Sequence, residues 1–290
     1  MSLAAPLAAL RAEARAIDER AHVPFSGRQA AAALLLSDGA WVPGVRVESA
    51  AFSLTIPPAL NAFSTAIAAG RSDVVALAMS RPVGPIERAF WESGPSAVSL
   101  DAAATADALA AREGSLPSLE APLDPLLPGP PPASPGEGVT RARSVAQRAL
   151  VPASCFPVGC VLALPGGALV PGVNVEPLPT NDPTDWTRVL CAERGALGTA
   201  CSYGLLGTEG VPPTNATADA GDASTLYLSC PDDPEGSPCG ACRQFLAELL
   251  PDGVLWMDRT ALGTPERTSP SALLPGSFQG AALSRNAPSG

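Results

Sequence analysis

Apolar segments with helical and with strand-like spacing occur in the same order in both halves of the chain. In each half, two apolar segments flank an Asp-Gly or Gly-Gly turn, the pattern of a β-hairpin. The predicted hairpins comprise residues 30–48 and 159–176. Each hairpin follows a stretch with helical spacing, at residues 7–20 and 140–150. The shared order predicts that one unit of structure occurs twice.

Short sequence matches support this repeat. Val-Pro-x-Ser and Gly-Val-x-Val-Glu occur in both halves, separated by the same spacing. Two later matches, Pro-x-Gly and Leu-Leu-Pro-Gly, follow in the same order. We therefore predict an α/β fold of two tandem α/β/α modules, each a mixed sheet flanked by helices. The predicted first module spans residues 1–114, a Pro-rich linker residues 115–138, and the second module residues 139–290.

The cysteines concentrate in the second half. All seven lie between Cys155 and Cys242, and the chain has a single histidine. An odd number of cysteines indicates metal binding or catalysis rather than a disulfide framework. Three of them, Cys191, Cys239 and Cys242, stand at the predicted starts of two helices, where the helix dipole favours thiolates. Three thiolates on Zn²⁺ leave a fourth position for water, the arrangement of a catalytic zinc site.

Charged residues adjoin this predicted zinc site. Glu193 is two residues from Cys191, close enough to exchange protons with a water molecule as general acid and base. Three thiolates give a divalent zinc site a net charge of about −1. Arg194 and Arg243 each follow a cysteine group, and we expect them to compensate that charge.

The overall charge narrows the class of partner. The chain has 18 basic and 28 acidic residues, a net charge of −10. Nucleic-acid binding depends on cationic contacts to phosphates, so the balance favours a small-molecule partner and no nucleic acid. No apolar run approaches the roughly 18 residues that span a bilayer. These features predict a cytoplasmic protein without a membrane partner.

The two cysteine segments, Cys-Ala-Glu-Arg and Pro-Cys-Gly-Ala-Cys-Arg-Gln, resemble the signature of the nucleoside cytidine deaminases. Three further segments resemble that family. By this resemblance, Phe156 packs on the pyrimidine ring, and Asn174 and Glu176 hydrogen-bond the ribose hydroxyls. Leu-Leu-Pro-Gly-Ser-Phe at 273–278 resembles the family's C-terminal motif. The resemblance implies zinc-dependent hydrolysis of cytidine or deoxycytidine to uridine or deoxyuridine, as in pyrimidine salvage.

The first module lacks this chemistry. Pro57, Val83 and Ile86 stand where the second module has its three cysteines, and Ala59 stands in place of Glu193. None of these side chains binds metal or transfers protons at neutral pH. Two-module family members pair an active and a degenerate module and form dimers that mimic a tetramer. The resemblance therefore implies a homodimer with a degenerate first module.

One departure from the family keeps other functions open. About six residues are inserted within 177–189, beside the segment predicted to bind ribose. Because of this insertion, the sequence does not decide whether the sugar of the substrate is ribose or deoxyribose. The insertion also favours an alternative function, deamination of another aminopyrimidine or of a nucleoside antibiotic. A zinc-stabilised binding protein without turnover is a second alternative, opposed by the intact Glu193. A regulatory or a purely structural role of the first module both remain open.

Overall fold

Two five-stranded sheets, each with helices on its faces, form the protein. A computed structural model describes residues 4–92, 100–102, 105–111, 115–178, 189–206, 223–259, 263–278, 280 and 283. The sequence prediction of two tandem α/β modules is confirmed. Within these ranges, no helix has the length and apolar character required to cross a membrane.

The described residues of the first module form three α-helices and five strands. They are, in chain order, α1 (Ala4–Ala16), β1 (Ala31–Leu36), β2 (Trp41–Val45), α2 (Pro58–Ala68), β3 (Val74–Met79), α3 (Pro85–Glu92), β4 (Leu100–Ala102) and β5 (Ala108–Ala111). Helix α1 packs on β1 and β3, and α2 packs on β1 and β2. Short 3-10 helices occur at Asp18–Arg20 and Phe52–Leu54.

The second module repeats this arrangement, with four α-helices and five strands in the part of it that the structure describes. Its elements are, in chain order, α4 (Pro135–Ala146), β6 (Gly159–Ala163), β7 (Leu169–Val173), α5 (Ala192–Ser202), β8 (Thr225–Ser229), α6 (Gly240–Leu249), β9 (Val254–Met257), β10 (Glu266–Thr268) and α7 (Pro270–Leu273). Helix α4 contacts β6, β7, β8 and β9, while α5 contacts β6 and β7. Both predicted hairpins are present as antiparallel pairs.

The Pro-Gly-Val segments of both hairpins lie in edge strands. Pro43 of β2 and Pro171 of β7 are tolerated there because an edge strand has no neighbouring strand of the sheet on its outer side. The following glycines bring a helix close to the sheet. A Cβ on Gly44 would lie 2.5 Å from the Ala62 nitrogen, and one on Gly172 would lie 2.9 Å from the Ala196 nitrogen. These glycines therefore seat α2 and α5, the helix that begins beside Cys191 and Glu193.

The two sheets differ in how their last strands pair. The second sheet has the order β10-β9-β8-β6-β7, and β8 and β9 are parallel, as helix α6 connects them. In the first sheet, of order β2-β1-β3-β5-β4, β5 inserts between β3 and β4. Among the described residues of the first module, the strands of the sheet pair in antiparallel ladders. Parallel pairing occurs there only in isolated bridges such as His22–Val47.

The segment predicted as a linker follows the edges of both sheets. Leu123 donates its backbone N–H to the Trp41 carbonyl of β2, and Leu127 donates to the Leu169 carbonyl of β7. Helix α4 begins at Pro135, before the predicted start of the second module. Ser134 is its N-cap and accepts a hydrogen bond from the Glu137 nitrogen. Ser-Pro-x-Glu is a helix-start signal that the high proline content of the segment obscured.

Helices α2 and α5 join the modules. They pack against each other, α2 also contacts β7, and α5 also contacts β2. Apolar side chains of both modules belong to one continuous core. The two modules therefore bury apolar surface against each other, which is the main favourable term in association.

Candidate metal centre and active site

Two helix N-termini bring three thiols together in the second module. Cys191 is the N-cap of α5, Cys239 is the N-cap of α6, and Cys242 lies in the first turn of α6. The Cys191 and Cys239 sulfurs are 3.6 Å apart, and the Cys239 and Cys242 sulfurs are 3.5 Å apart. All three sulfurs therefore lie at the N-terminal ends of two helices.

The spacing of the three sulfurs fits a zinc ion. Their sulfurs all lie within 4.8 Å of one another. A tetrahedral site with Zn–S bonds of about 2.3 Å requires sulfurs about 3.8 Å apart. The two measured separations are close to this value. Sulfur–sulfur hydrogen bonds with Cys191 and Cys242 also hold the pKa of Cys239 well below its usual value, which favours a thiolate.

Glu193 lies directly against this cluster. Its side chain is 3% exposed, and its Oε2 accepts a hydrogen bond of 3.3 Å from the Cys242 thiol. Burial raises the pKa of Glu193 to about 7. A carboxyl group with a pKa near neutrality can both accept and donate a proton at working pH, as a general acid and base must.

The two arginines occupy different surroundings. Arg194 is buried, with its guanidinium 5.3 Å from the centre of the Phe245 ring, and it donates to the Leu54 carbonyl of the first module at 2.6 Å. Arg243 donates to the Pro238 carbonyl at 2.8 Å, across the first turn of α6. Arg194, next to Glu193 in the chain, therefore lies at the interface between the modules. Arg243 hydrogen-bonds to the loop that precedes Cys239.

The three residues predicted to bind substrate meet at one loop. The Asn174 side chain accepts from the Val158 nitrogen at 2.8 Å and donates to the Phe156 carbonyl at 2.9 Å. The Glu176 carboxylate accepts from the nitrogen of Ser154 at 2.9 Å. Phe156 is 36% exposed. Asn174 and Glu176 therefore hold the loop that presents the Phe156 ring.

A short antiparallel bridge places this loop-holding strand beside the thiols. Val175 and Leu190 exchange backbone hydrogen bonds of 2.9 and 3.0 Å, so the extended segment of Asn174 and Glu176, which directly follows β7, runs next to Cys191. The insertion within 177–189 connects the two sides of this bridge. Residues 179–188 of that insertion lie outside the described residues.

The first module supplies contacts to this region that sequence reasoning missed. Besides the Leu54 carbonyl, which accepts from Arg194, Ser49 donates its hydroxyl to Glu248 of α6 at 2.7 Å, and the Ala50 nitrogen donates to the same carboxylate at 2.8 Å. Glu248 also accepts from Gln244, whose amide donates to the Phe278 carbonyl. No local sequence signal distinguishes these pairings, because the partners are far apart along the chain.

The equivalent positions of the first module are filled by apolar residues. Pro57 is the N-cap of α2, as Cys191 is of α5. Ala59 is buried where the second module has Glu193, and Val83 is also buried. Glu48 accepts hydrogen bonds from the backbone nitrogens of Phe25 and Ser26. Glu176 makes the equivalent hydrogen bond to the loop of the second module. The loop-holding glutamate is therefore present even where the thiols are absent.

Comparison with known proteins identifies the family. Family models described as the cytidine and deoxycytidylate deaminase zinc-binding region match residues 136–257 and residues 3–79. A cytidine deaminase of Sporosarcina psychrophila is 34% identical over 143 residues, which cover 48% of this chain and 88% of that protein. The chain belongs to the cytidine deaminase family.

Other matches to cytidine deaminases cover one module's length. A cytidine deaminase of Halalkalibacterium halodurans is 42% identical over 140 residues, covering 48% of this chain and 90% of that protein. A crystal structure of cytidine deaminase from Burkholderia pseudomallei has 26% identity and a TM-score of 0.37, covering 49% of this chain and 98% of that one. Family membership makes this chain a zinc-dependent hydrolytic deaminase with two family domains.

Proposed function

We propose that the second module hydrolyses cytidine and deoxycytidine to uridine and deoxyuridine, and that the protein serves pyrimidine salvage in the cytoplasm. The observation that carries the proposal is the buried Glu193 in hydrogen-bond contact with a three-thiol cluster of zinc-site dimensions. The reaction consumes one water molecule and releases one ammonia molecule for each pyrimidine base. Cys191, Cys239 and Cys242 are the proposed metal ligands.

Glu193 transfers the protons in this proposal. When bound, the zinc ion supplies the Lewis acidity that lowers the pKa of a water molecule to about 7. Glu193 accepts one proton from the attacking water and delivers it to N3 of the base. It then takes the second proton from the new C4 hydroxyl and gives it to the amino group, so that ammonia leaves and the C4 carbonyl forms. Its burial supports this cycle because a raised pKa makes both protonation states accessible near neutral pH.

Substrate binding in this proposal combines the Phe156 ring with polar groups of the adjacent strand. The exposed Phe156 ring offers an apolar surface for the pyrimidine base. Asn174 and Glu176 are the proposed ligands of the sugar hydroxyls, and their bonds to the 154–158 loop couple sugar binding to the position of Phe156. Arg194 and Arg243 offset the negative charge of the three thiolates.

An ammonia-release assay tests the proposed substrate. We expect turnover with cytidine and deoxycytidine that exceeds turnover with cytosine, deoxycytidylate and single-stranded DNA. The net charge of −10 supports the lower rank of deoxycytidylate and DNA, because it opposes binding of their phosphates. Preferential turnover of deoxycytidylate or of DNA would contradict the proposed nucleoside substrate.

The insertion within 177–189 favours a second candidate, a deaminase of another aminopyrimidine nucleoside. The inserted residues adjoin the strand of Asn174 and Glu176, where the sugar is proposed to bind. The same assay separates the candidates when it includes aminopyrimidine nucleoside antibiotics. A kcat/KM for an antibiotic well above that for cytidine would select this second function.

We also propose that two copies of the chain form a homodimer, giving four modules in the assembly. A mass in solution of twice the 29.2 kDa chain is the expected result of light scattering. Support comes from the family resemblance and from an exposed Phe52, whose side chain is 76% accessible on the first module. A monomeric mass at micromolar concentration would contradict the proposed dimer.

The second module is expected to need the first. A fragment of residues 135–290 loses the α2–α5 contact and the bonds that Leu54, Ser49 and Ala50 make to Arg194 and Glu248. Its apolar interface becomes exposed to water, so we expect aggregation or loss of most of the deaminase activity. The measurement is light scattering and ammonia release per zinc-loaded fragment.

The matched control is the full chain cleaved at a protease site inserted beside Gly129, which is exposed and has a φ of 102°. Cleavage there leaves the module interface intact, so the nicked protein should retain activity. A soluble fragment with the specific activity of the full chain would show that the first module is dispensable.

A further inference from the structure

The interface between the modules has an approximate two-fold axis. Thr65 of α2 and Thr199 of α5 occupy equivalent positions, each eight residues after the N-cap of its helix. Their hydroxyls are hydrogen-bonded to each other at 2.7 Å, and both side chains are buried. A residue that contacts its own equivalent lies at the axis, so α2 and α5 present corresponding faces to each other.

The two faces differ in size at the positions flanking this axis. Asn61 and Ser64 of α2 correspond to Gly195 and Gly198 of α5. Asn61 faces Gly198, and its amide donates to the Gly198 carbonyl at 3.1 Å and to the Ser202 hydroxyl at 3.0 Å. Ser64 faces Gly195. The larger residues of the first module therefore occupy the space that the glycines of the second module leave.

The fit allows no added atom. A Cβ on Gly198 would overlap the Asn61 side-chain oxygen and lie 2.9 Å from its Cγ, while the amide is also held by the Val45 carbonyl at 2.8 Å. A Cβ on Gly195 would lie 2.6 Å from the Ser64 hydroxyl. Neither the Asn61 side-chain oxygen nor the Ser64 hydroxyl has a hydrogen-bond partner among the described residues. The positions of the Asn61 and Ser64 side chains are therefore explained by their steric fit against glycine rather than by hydrogen bonds of these two atoms.

We infer that α5 is a selective interaction surface that accepts the α2 face of a first module and excludes a second catalytic module. Two α5 faces in the same geometry would place glycines opposite glycines and leave unfilled space, which destabilises a core in proportion to its volume. Two α2 faces would place Asn61 against Ser64 and crowd four buried polar side chains around one axis. Only the unlike pair is both filled and free of overlap.

This selectivity limits which surfaces of the chain can form a homodimer. A dimer of the chain must use surfaces other than the α5 face of its catalytic modules. The intramolecular pairing also places Leu54 and Ser49 beside Arg194 and Glu248, so selection of the unlike pair secures the contacts between the first module and the helices that carry the thiols.

A double-mutant cycle on the full chain tests the fit. Gly198→Ala should lower the thermal midpoint in the native background because the new methyl group meets Asn61. In the Asn61→Ala background, the same change should raise the midpoint by about 2 °C, since alanine favours a helix over glycine. Gly136→Ala is the control. It lies in α4, where the nearest atom to an added Cβ is 3.9 Å away, so its effect should not depend on residue 61.

An exchange of the two faces tests the selectivity. The pair Gly195→Asn and Gly198→Ser creates two large faces, and the pair Asn61→Gly and Ser64→Gly creates two glycine faces. We expect each pair to lower the midpoint by about 5 °C or more. All four changes together exchange the faces without altering the composition, and should recover at least half of the larger loss.

Zinc content, measured on each variant, reports that the second module is still folded. A Gly198→Ala effect of the same sign in both backgrounds would overturn the inference. An exchanged variant no more stable than the worse of the two pairs would overturn it as well. If both pairs fail to fold, the Asn61 and Gly198 cycle still decides, because Gly198→Ala adds only one methyl group and Asn61→Ala only shortens one side chain.

Discussion

Replacing Glu193 by glutamine is expected to reduce deaminase activity by about 10²-fold or more, the usual contribution of general acid–base catalysis. Glutamine keeps the size of the side chain and its burial beside Cys242, but it cannot accept and return a proton. The variant should therefore retain zinc and the thermal midpoint of the native protein. Steady-state ammonia release, elemental analysis and thermal unfolding measure the three properties on one preparation.

Glu235→Gln is the matched control for this substitution. Glu235 is an exposed glutamate on the loop before Cys239, so the same change there should leave kcat unaffected. Activity of the Glu193→Gln variant close to that of the native enzyme would assign proton transfer to another group. Loss of zinc from that variant would instead indicate that the carboxylate supports the metal site.

Removing a thiol from the cluster is expected to abolish activity and zinc binding together. Cys242 is buried and joins α6 to Glu193 of α5, so the ion links both helices through the cluster. Cys242→Ser should retain less than about a tenth of the zinc and lower the thermal midpoint, because metal binding contributes to folding stability. The native protein should contain one zinc ion per chain, and a chelator should lower its midpoint reversibly.

Cys201→Ser serves as the matched control, since Cys201 is likewise a buried cysteine of the second module but does not belong to the cluster. Both substitutions bury a hydroxyl, so a shared loss of stability cancels in the comparison and the zinc content separates them. Two zinc ions per chain, or equal zinc content in the two variants, would contradict the proposed ligand set.

Local spacing accounts for what could be predicted about the site. Cys-x-x-Cys at a helix start places two sulfurs on the same side of the first turn, and the second helix start at Cys191 follows the same rule. The hairpins could be predicted because turn residues and apolar segments are local signals, confirmed as β1–β2 and β6–β7. The domain boundaries at residues 114 and 138 remain predictions, although α4 begins at Pro135.

Contacts between distant residues limited what could be predicted about the fold. The position of β5 between β3 and β4 depends on which strand edges pair in the folded sheet, and no local pattern in β5 specifies its neighbour. The hydrogen bonds of Asn174 and Glu176 to the 154–158 loop likewise depend on the hairpin bringing both segments together. Sequence patterns describe the periodicity of one segment, whereas pairing depends on competition among all of them.

The sequence alone determined that the protein is a repeated α/β unit with three thiols and Glu193 in its second copy, because each of these features is read from short local motifs and their order along the chain. Only the tertiary structure decided that Asn61 and Ser64 fit against two glycines of α5, and that Leu54 and Ser49 contact Arg194 and Glu248. The reason is physical. Steric fit and buried hydrogen bonds between helices depend on the relative position of whole modules, which no local pattern of residues specifies.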